Sequence, residues 1–312
     1  MSITADQTWI YRFHDTLHLT YQQAGSLLTN LLDQGMVHRD VHAAIDHHER
    51  LGNGIANDIV TPFGAVIPLN LAHSRRAVTL VSSDAVVYVS DENTLRAMVN
   101  PQSGYTRSIV MALGRRADKH IIDALTGTAQ TAAVTAGTGV ITYGTQALPS
   151  ARVIGGATAM DLTRVVAANE LLSKSGAPND GGRYMLYSPG QLRDILAITQ
   201  ASSSDFTKNQ IHDTGTINNV AWEGFKWIEI ADVIDIDGST SLLRMLNLAA
   251  TTRDCVAFHK SAAGLSVGKD IQTVVDAAPW MQSRPTQVRS SMIMASVRVF
   301  EGGVVKVQAL EN

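Results

Sequence analysis

Apolar residues recur at steps near four through Trp9, Phe13, Leu17, Tyr21, Leu28 and Leu32. That spacing puts them on one stripe and predicts a helix over residues 5–34. Thr4 fits an N-cap, with Gln7 three residues on, and Gln34-Gly35 fits a stop. Such a stripe needs a body or a neighbour to cover it. Helical periodicity fades over residues 36–90, where Gly52, Gly54, Pro62, Gly64 and Pro68 break the chain. Short β-prone runs lie between the breaks: Ile59-Val60-Thr61, Ala65-Val66-Ile67 and Ala77-Val78-Thr79-Leu80-Val81. This pattern predicts an extended β-hairpin arm with little core of its own. A long, weakly cored excursion usually serves a partner.

Helical spacing returns over residues 91–127, interrupted at Asn100-Pro101. Ser103 is the expected N-cap, Tyr105, Ile109, Leu113, Ala117, Ile121 and Leu125 step by four, and Gly127 stops the helix. Arg107, Arg115, Arg116, Lys119 and His120 ride on this strut. Residues 128–158 are rich in Thr, Ala and Gly and predict strands or loops at a domain edge. Residues 159–200 predict two helices around a strand: Met160 to Lys174, then Arg183 to Tyr187, then a helix opened by Ser188-Pro189. Residues 214–235 predict strands with a bend at Gly224. Residues 242–312 are mainly strands, with a tight turn at Glu301-Gly302-Gly303. Regular βαβ alternation is missing, so a doubly wound nucleotide-binding fold is not expected and the class is α+β.

Composition narrows the function. A chain of 312 residues that is 45% hydrophobic can bury one core or two linked ones. Its formal net charge of -3 shows no overall basic excess for tight nucleic-acid binding, although a protein that merely encloses DNA need not be basic. The single cysteine, Cys255, forbids an intrachain disulfide and, within Cys255-Val256-Ala257-Phe258, reads as a small buried hydrophobe. The first residues show no signal pattern, and no run reaches the roughly 18 apolar residues of a membrane span. A soluble, cytosol-made protein with no membrane partner is expected.

Candidate chemistry is sparse. His38-x3-His42, followed by His47, His48 and Glu49, has spacing that can bind zinc. These residues lie in a breaker-rich stretch with no second ligand cluster and no HExxH, so no structural metal is expected. Ala136-Gly137-Thr138-Gly139 matches no phosphate loop, and no lysine precedes Lys119. Asp232, Asp235 and Asp237 before Gly238 resemble a partial calcium loop without its closing glutamate and read as a solvated turn. Ser188-Pro189-Gly190 is not a nucleophile elbow. No catalytic or cofactor residues are assigned. The basic pairs Arg75-Arg76 and Arg115-Arg116 suit phosphate or a neighbour's carboxylates.

Several segments, in order, resemble the major capsid proteins of tailed bacteriophages. His73-Ser74-Arg75-Arg76-Ala77-Val78-Thr79-Leu80 is similar to the return strand of their extended loop. Asn100-Pro101-Gln102-Ser103-Gly104-Tyr105, followed by Leu113-Gly114-Arg115-Arg116-Ala117-Asp118, is similar to their spine helix. Arg183-Tyr184 through Ser188-Pro189-Gly190-Gln191-Leu192, and Glu223-Gly224-Phe225-Lys226-Trp227, are similar to parts of the central domain. Ala257-Phe258-His259-Lys260-Ser261-Ala262 and Val267-Gly268-Lys269-Asp270 complete the pattern.

The resemblance implies a Hong Kong 97-like fold. It divides the chain into an N-terminal helical arm (1–40), an extended β-hairpin loop (41–90) and a peripheral domain with a spine helix (91–135). An axial domain (136–250) follows, then C-terminal strands returning to the peripheral domain (251–312). It implies hexamers and pentamers closing into an icosahedral head, assembled in the host cytoplasm and located in the virion. Further implied partners are non-specifically packaged double-stranded DNA, a portal protein, and scaffolding and decoration proteins. Trp9, Phe13, Leu17, Arg39, Arg50, Arg75 and Arg76 are the expected inter-subunit contacts. Tyr105, Ile109, Leu113, Arg115, Arg116 and Ile121 mark the spine helix. Some members of this fold join subunits by a lysine–asparagine isopeptide bond from the loop. This chain departs from that pattern, because no lysine precedes Lys119. The alternatives are an encapsulin-like compartment shell and, from another class, a metal-dependent enzyme using His38, His42, His47 and His48.

Overall fold

The computed structural model describes residues 23–58, 66–89, 102–134, 140–198, 217, 221–235 and 241–311, apart from 24, 67, 70, 157 and 283. Trp9, Phe13, Leu17, the Asn100-Pro101 step, the glycine run at 136–139 and Asp237 lie outside these residues. In chain order the strands are β1 (Val37–His38), β2 (Ile45–Leu51), β3 (His73–Thr79), β4 (Val81–Val89), β5 (Ala129–Val134), β6 (Ile141–Gln146) and β7 (Val153–Ile154). They continue as β8 (Arg183–Tyr187), β9 (Ala221–Trp222), β10 (Phe225–Glu229), β11 (Val233–Ile234), β12 (Ser241–Leu243) and β13 (Leu248–Ala249). The last four are β14 (Thr252–His259), β15 (Ala263–Ala277), β16 (Thr286–Arg298) and β17 (Val304–Leu310). The helices are α1 (Gln102–Thr126), α2 (Leu162–Lys174) and α3 (Pro189–Leu196).

Among the described residues four sheets result, ordered β1-β15-β16-β4, β7-β17-β14-β8-β10-β9 with β13 added on β14, β11-β12, and β2-β3-β5-β6. The sheet built on β14 is buried on both faces. Side chains alternate along a strand, so Val256 and Phe258 join one apolar cluster while Cys255 and Ala257 join another. The first cluster is covered by α1 through Leu113, Ala117, Ile121, Ile122 and Leu125. The second is covered by Val165, Ala168 and Leu172 of α2 and Ile195 of α3. Burial pushes the Cys255 thiol up to about 12, which leaves it inert as a nucleophile.

The helix predicted to start near Ser103 begins at Gln102 and ends where Gly127 donates to the Asp123 carbonyl. Ile109, Leu113 and Ile121 are buried, while Tyr105 and Arg116 stay exposed. Ser188 caps α3 with a reciprocal Gln191 contact and Pro189 in the first turn, as its spacing predicts. Glu223 and Gly224 take positive φ values of 50° and 80° and join β9 to β10.

One expectation needs correction. Residues 25–33 form turns and not the end of a helix, followed by a 3-10 turn at Gln34–Met36. Gly25 has φ of 83°, and the backbone amides of Leu27 and Leu28 donate to the Asp118 carboxylate of α1 at 2.9 and 3.0 Å. Gly114 makes room for this crossing, since a Cβ there would lie 2.6 Å from the Gly25 carbonyl carbon. Tertiary bonds outweigh the local periodicity. The C-terminal strands divide between two sheets. β15 and β16 join the sheet beside α1, while β14 and β17 pair with each other in the sheet of β8 and β10. Of the acidic group, Asp232 is spent internally, with both oxygens accepting from Arg253 at 3.0 and 2.9 Å.

Candidate inter-subunit site at the root of the hairpin arm

The β2–β3 ladder runs from Ile45 opposite Thr79 to Leu51 opposite His73. One more backbone bond, Gly52 N–H to Ala72 O at 2.8 Å, closes it. Beyond that point Ile55 is 85% and Val66 91% exposed, and Leu69 is exposed as well. No residue between 52 and 72 belongs to an apolar cluster of the described residues. At its base the ladder continues through β3–β5 and β5–β6, so the Thr- and Ala-rich segment braces the arm. All of β6 is exposed, which leaves an open strand edge with Ile141 and Tyr143 on it.

Two polar clusters tie this root to the body. In the first, His38 Nδ1 and Ser266 Oγ donate to Asp46 Oδ2 at 2.6 and 2.7 Å. With its proton spent there, Ser266 Oγ accepts from His48 Nε2 at 3.1 Å. The His47 amide donates to Asp46 Oδ1 at 2.8 Å. The network thus joins β1, β2 and β15. Burial opposes charge on Asp46, but the bonds from Ser266, His38 and His47 outweigh it and hold the carboxyl below its ordinary range. Burial, then the neighbouring His38, pushes His48 down to about 4, against the pull of Asp46. His48 therefore stays neutral over the physiological range.

The ligating atoms of His38, Asp46 and His48 lie within 4.8 Å of one another, a grouping that includes Asp46 and leaves out His42 and His47. The two imidazoles stack at 4.1 Å with planes 14° apart. Lone pairs lie in the ring planes, so two nearly parallel rings do not converge on one ion. Elemental analysis of chelator-washed protein should find no stoichiometric zinc. One zinc per chain would overturn this expectation.

The second cluster gathers around Glu301, in the turn after β16. Arg50 Nη1 donates to Glu301 Oε2 at 3.0 Å and to the Val299 carbonyl at 2.8 Å. Arg76 Nη2 donates to Glu301 Oε1 and, at 2.7 Å, to Gln146 Oε1. Arg298 donates to the carbonyls of Leu125 and Gly127 at the end of α1, at 3.0 and 2.6 Å, and to that of Gln146 at 3.0 Å. Its charge suits the negative end of the helix. Thus Arg76, wholly buried, pairs through Nη2 with Glu301 and Gln146 of its own subunit, and Arg50 is mostly drawn in. Arg39 and Arg75 remain at the surface, 3.9 Å from Asp270 and 2.8 Å from Glu49. Exposed pairs of this type contribute ~0–1 kcal/mol and leave both arginines open to a partner.

Sequence reasoning missed Asp46, Ser266, Gln146, Arg298 and Glu301. The turn at Glu301 was visible, but its partner Arg76 is 225 residues away.

A family model described as phage capsid protein matches residues 5–311. No curated protein matches the chain. Among solved structures, one from Mycobacterium phage Che8 is 17% identical, covers 96% of this chain and 97% of its own, and superposes with a TM-score of 0.65. The capsid of cyanophage P-SCSP1u is 13% identical, with 100% and 96% covered and a TM-score of 0.69. The head structure of Helicobacter pylori bacteriophage KHP40 is 8% identical, with 100% and 98% covered and a TM-score of 0.68. At these identities the likeness is one of fold.

Proposed function

The chain belongs to the phage capsid protein family, and from that premise we propose that it assembles as hexamers and pentamers into an icosahedral head enclosing double-stranded DNA. It has the Hong Kong 97-like fold of phage major capsid proteins. The observation that carries the finer reading is the arm. Beyond Gly52 none of the arm's described residues joins an apolar cluster, and exposed apolar side chains such as Ile55 and Val66 call for a neighbour to cover them. Its exposed apolar residues, with the surface arginines Arg39 and Arg75 and the stripe of Trp9, Phe13 and Leu17, are the contacts we assign between subunits.

On this reading residues 41–90 form the extended loop, 91–135 hold the spine helix, and 136–250 build the axial part. The role is structural, not catalytic. Assembly takes place in the host cytoplasm, with portal, scaffolding and decoration proteins as partners and DNA held non-specifically. Sedimentation of the expressed chain separates the possibilities: megadalton particles are expected, and a population of free subunits at all concentrations contradicts the reading.

The shell is held by burial, strand pairing and ion pairs. An isopeptide bond needs a lysine amine on the arm, which here offers only arginines, and arginine stays protonated. Boiled, reduced particles should therefore run as a single monomer band on a denaturing gel. A reductant-resistant ladder of covalent oligomers contradicts this.

A further inference from the structure

The arginine cluster at the arm root, unlike the histidine cluster beside it, is short of acceptors. Arg50, Arg76 and Arg298 bring three positive charges to one carboxylate, Glu301, and no other carboxylate of the described residues pairs with them. Arg76 and Arg298 are fully buried. Arg76 Nε and Nη1 and Arg298 Nε are enclosed and have no hydrogen-bond partner. Carbonyls at the end of α1 offset part of the Arg298 charge. Arg76 has only the Glu301 carboxylate, shared with Arg50, and the Gln146 amide oxygen, and its pKa is lowered first by burial and then, against Glu301, by Arg50 and Arg298.

Charge excess and unfilled donors are separate observations, and both call for the same thing. A buried charge is tolerated when paired. Water can fill a donor but leaves the charge uncompensated.

We propose that the Arg50–Arg76–Arg298–Glu301 cluster binds a small inorganic anion of halide size, which completes the junction between the hairpin arm, the end of α1 and the turn after β16. The ligand is small because the unfilled donors are enclosed, and monovalent because, with Arg298 partly offset by carbonyls, one charge beyond that of Glu301 is left to balance. Arg50, the partly exposed member, gives it a way in. The site belongs to the folded subunit and does not depend on shell architecture.

The test uses the full chain in sodium gluconate, titrated with sodium bromide at constant ionic strength while the unfolding temperature is followed. A ligand that binds the folded state alone raises that temperature with its concentration, with an onset set by its Kd. Bromide should do so with a definite half-point and gluconate should not. Two variants separate binding from general salt effects. Arg50→Gln removes a positive charge and should weaken bromide binding by about tenfold. Glu301→Gln removes the competing carboxylate and should tighten it. A purely structural role predicts no such opposite movement of the half-points. Halide relaxation measurements on the unaltered protein give the same binding constant and need no variant. Equal responses to bromide and gluconate, or variants that leave the bromide half-point in place, would overturn the proposal. The donors would then be filled by water or by a carboxylate from another part of the chain.

Discussion

Cutting the hairpin arm back to its ladder should leave a folded subunit that no longer closes into particles. The cut falls after Leu51 and before His73, the last ladder pair, and an Asn-Gly turn joins the ends. The segment removed holds Ile55 and Val66, both almost fully exposed, and none of its described residues belongs to an apolar cluster. Both polar clusters lie on the body side of the cut and survive it. The unfolding temperature should therefore stay within ~2–4 °C of the unaltered chain, equivalent to about 1 kcal/mol at this size. Particle yield in sedimentation should fall to near zero. Normal particles from the shortened chain would show that the arm is not the joint between subunits.

Asp118→Ala should be the most damaging single change on α1. The carboxylate is fully buried, and among the described residues it has no ion pair. Instead Oδ1 accepts from Ser26 Oγ at 2.5 Å and from the Leu28 amide, and Oδ2 accepts from Gln23 Nε2 at 2.5 Å and from the Leu27 amide. These bonds pin the incoming chain across the helix and seat Leu28 and Leu32 in the main cluster. Bonds to a charged group contribute about 1.5–3 kcal/mol each, and stranding buried donors costs more. Since the turn can relax toward water, a loss of ~3–5 kcal/mol in a denaturant titration is expected, with faster hydrogen exchange over residues 25–32. Asp118→Asn keeps the acceptor at one oxygen and should lose roughly half as much. A loss below about 1 kcal/mol for the alanine variant would mean that the turn is held by apolar packing alone.

What could be read from the chain divides along the range of the interaction. α1 was legible because Ile109, Leu113, Ala117, Ile121 and Leu125 meet one surface at steps of four, a local signal. The buried β14 was legible as the run Cys255-Val256-Ala257-Phe258, and Ser188-Pro189 announced α3 through its cap chemistry. The arm was legible through its breakers, and residues 45–51 and 73–79 form its ladder. The turn at residues 25–33 was not, because the acceptor for its amides lies on α1, 90 and more residues away. The same reason hides the polar clusters. Asp46 meets Ser266 across 220 residues, so nothing local to it marks one half of a hydrogen-bonded clasp. Arg76 looked like a surface partner because nothing near it in sequence could neutralise it, yet Glu301 and Gln146 draw it wholly inside.

The central claim is that this chain closes on copies of itself through its arm. Cryo-electron microscopy of the purified particles tests it most directly. The account predicts closed icosahedral shells, with clusters of six and five subunits and each hairpin beyond Gly52 lying on a neighbouring subunit. Particles in which that hairpin folds back on its own body, or a chain that stays a monomer under all assembly conditions, would contradict it.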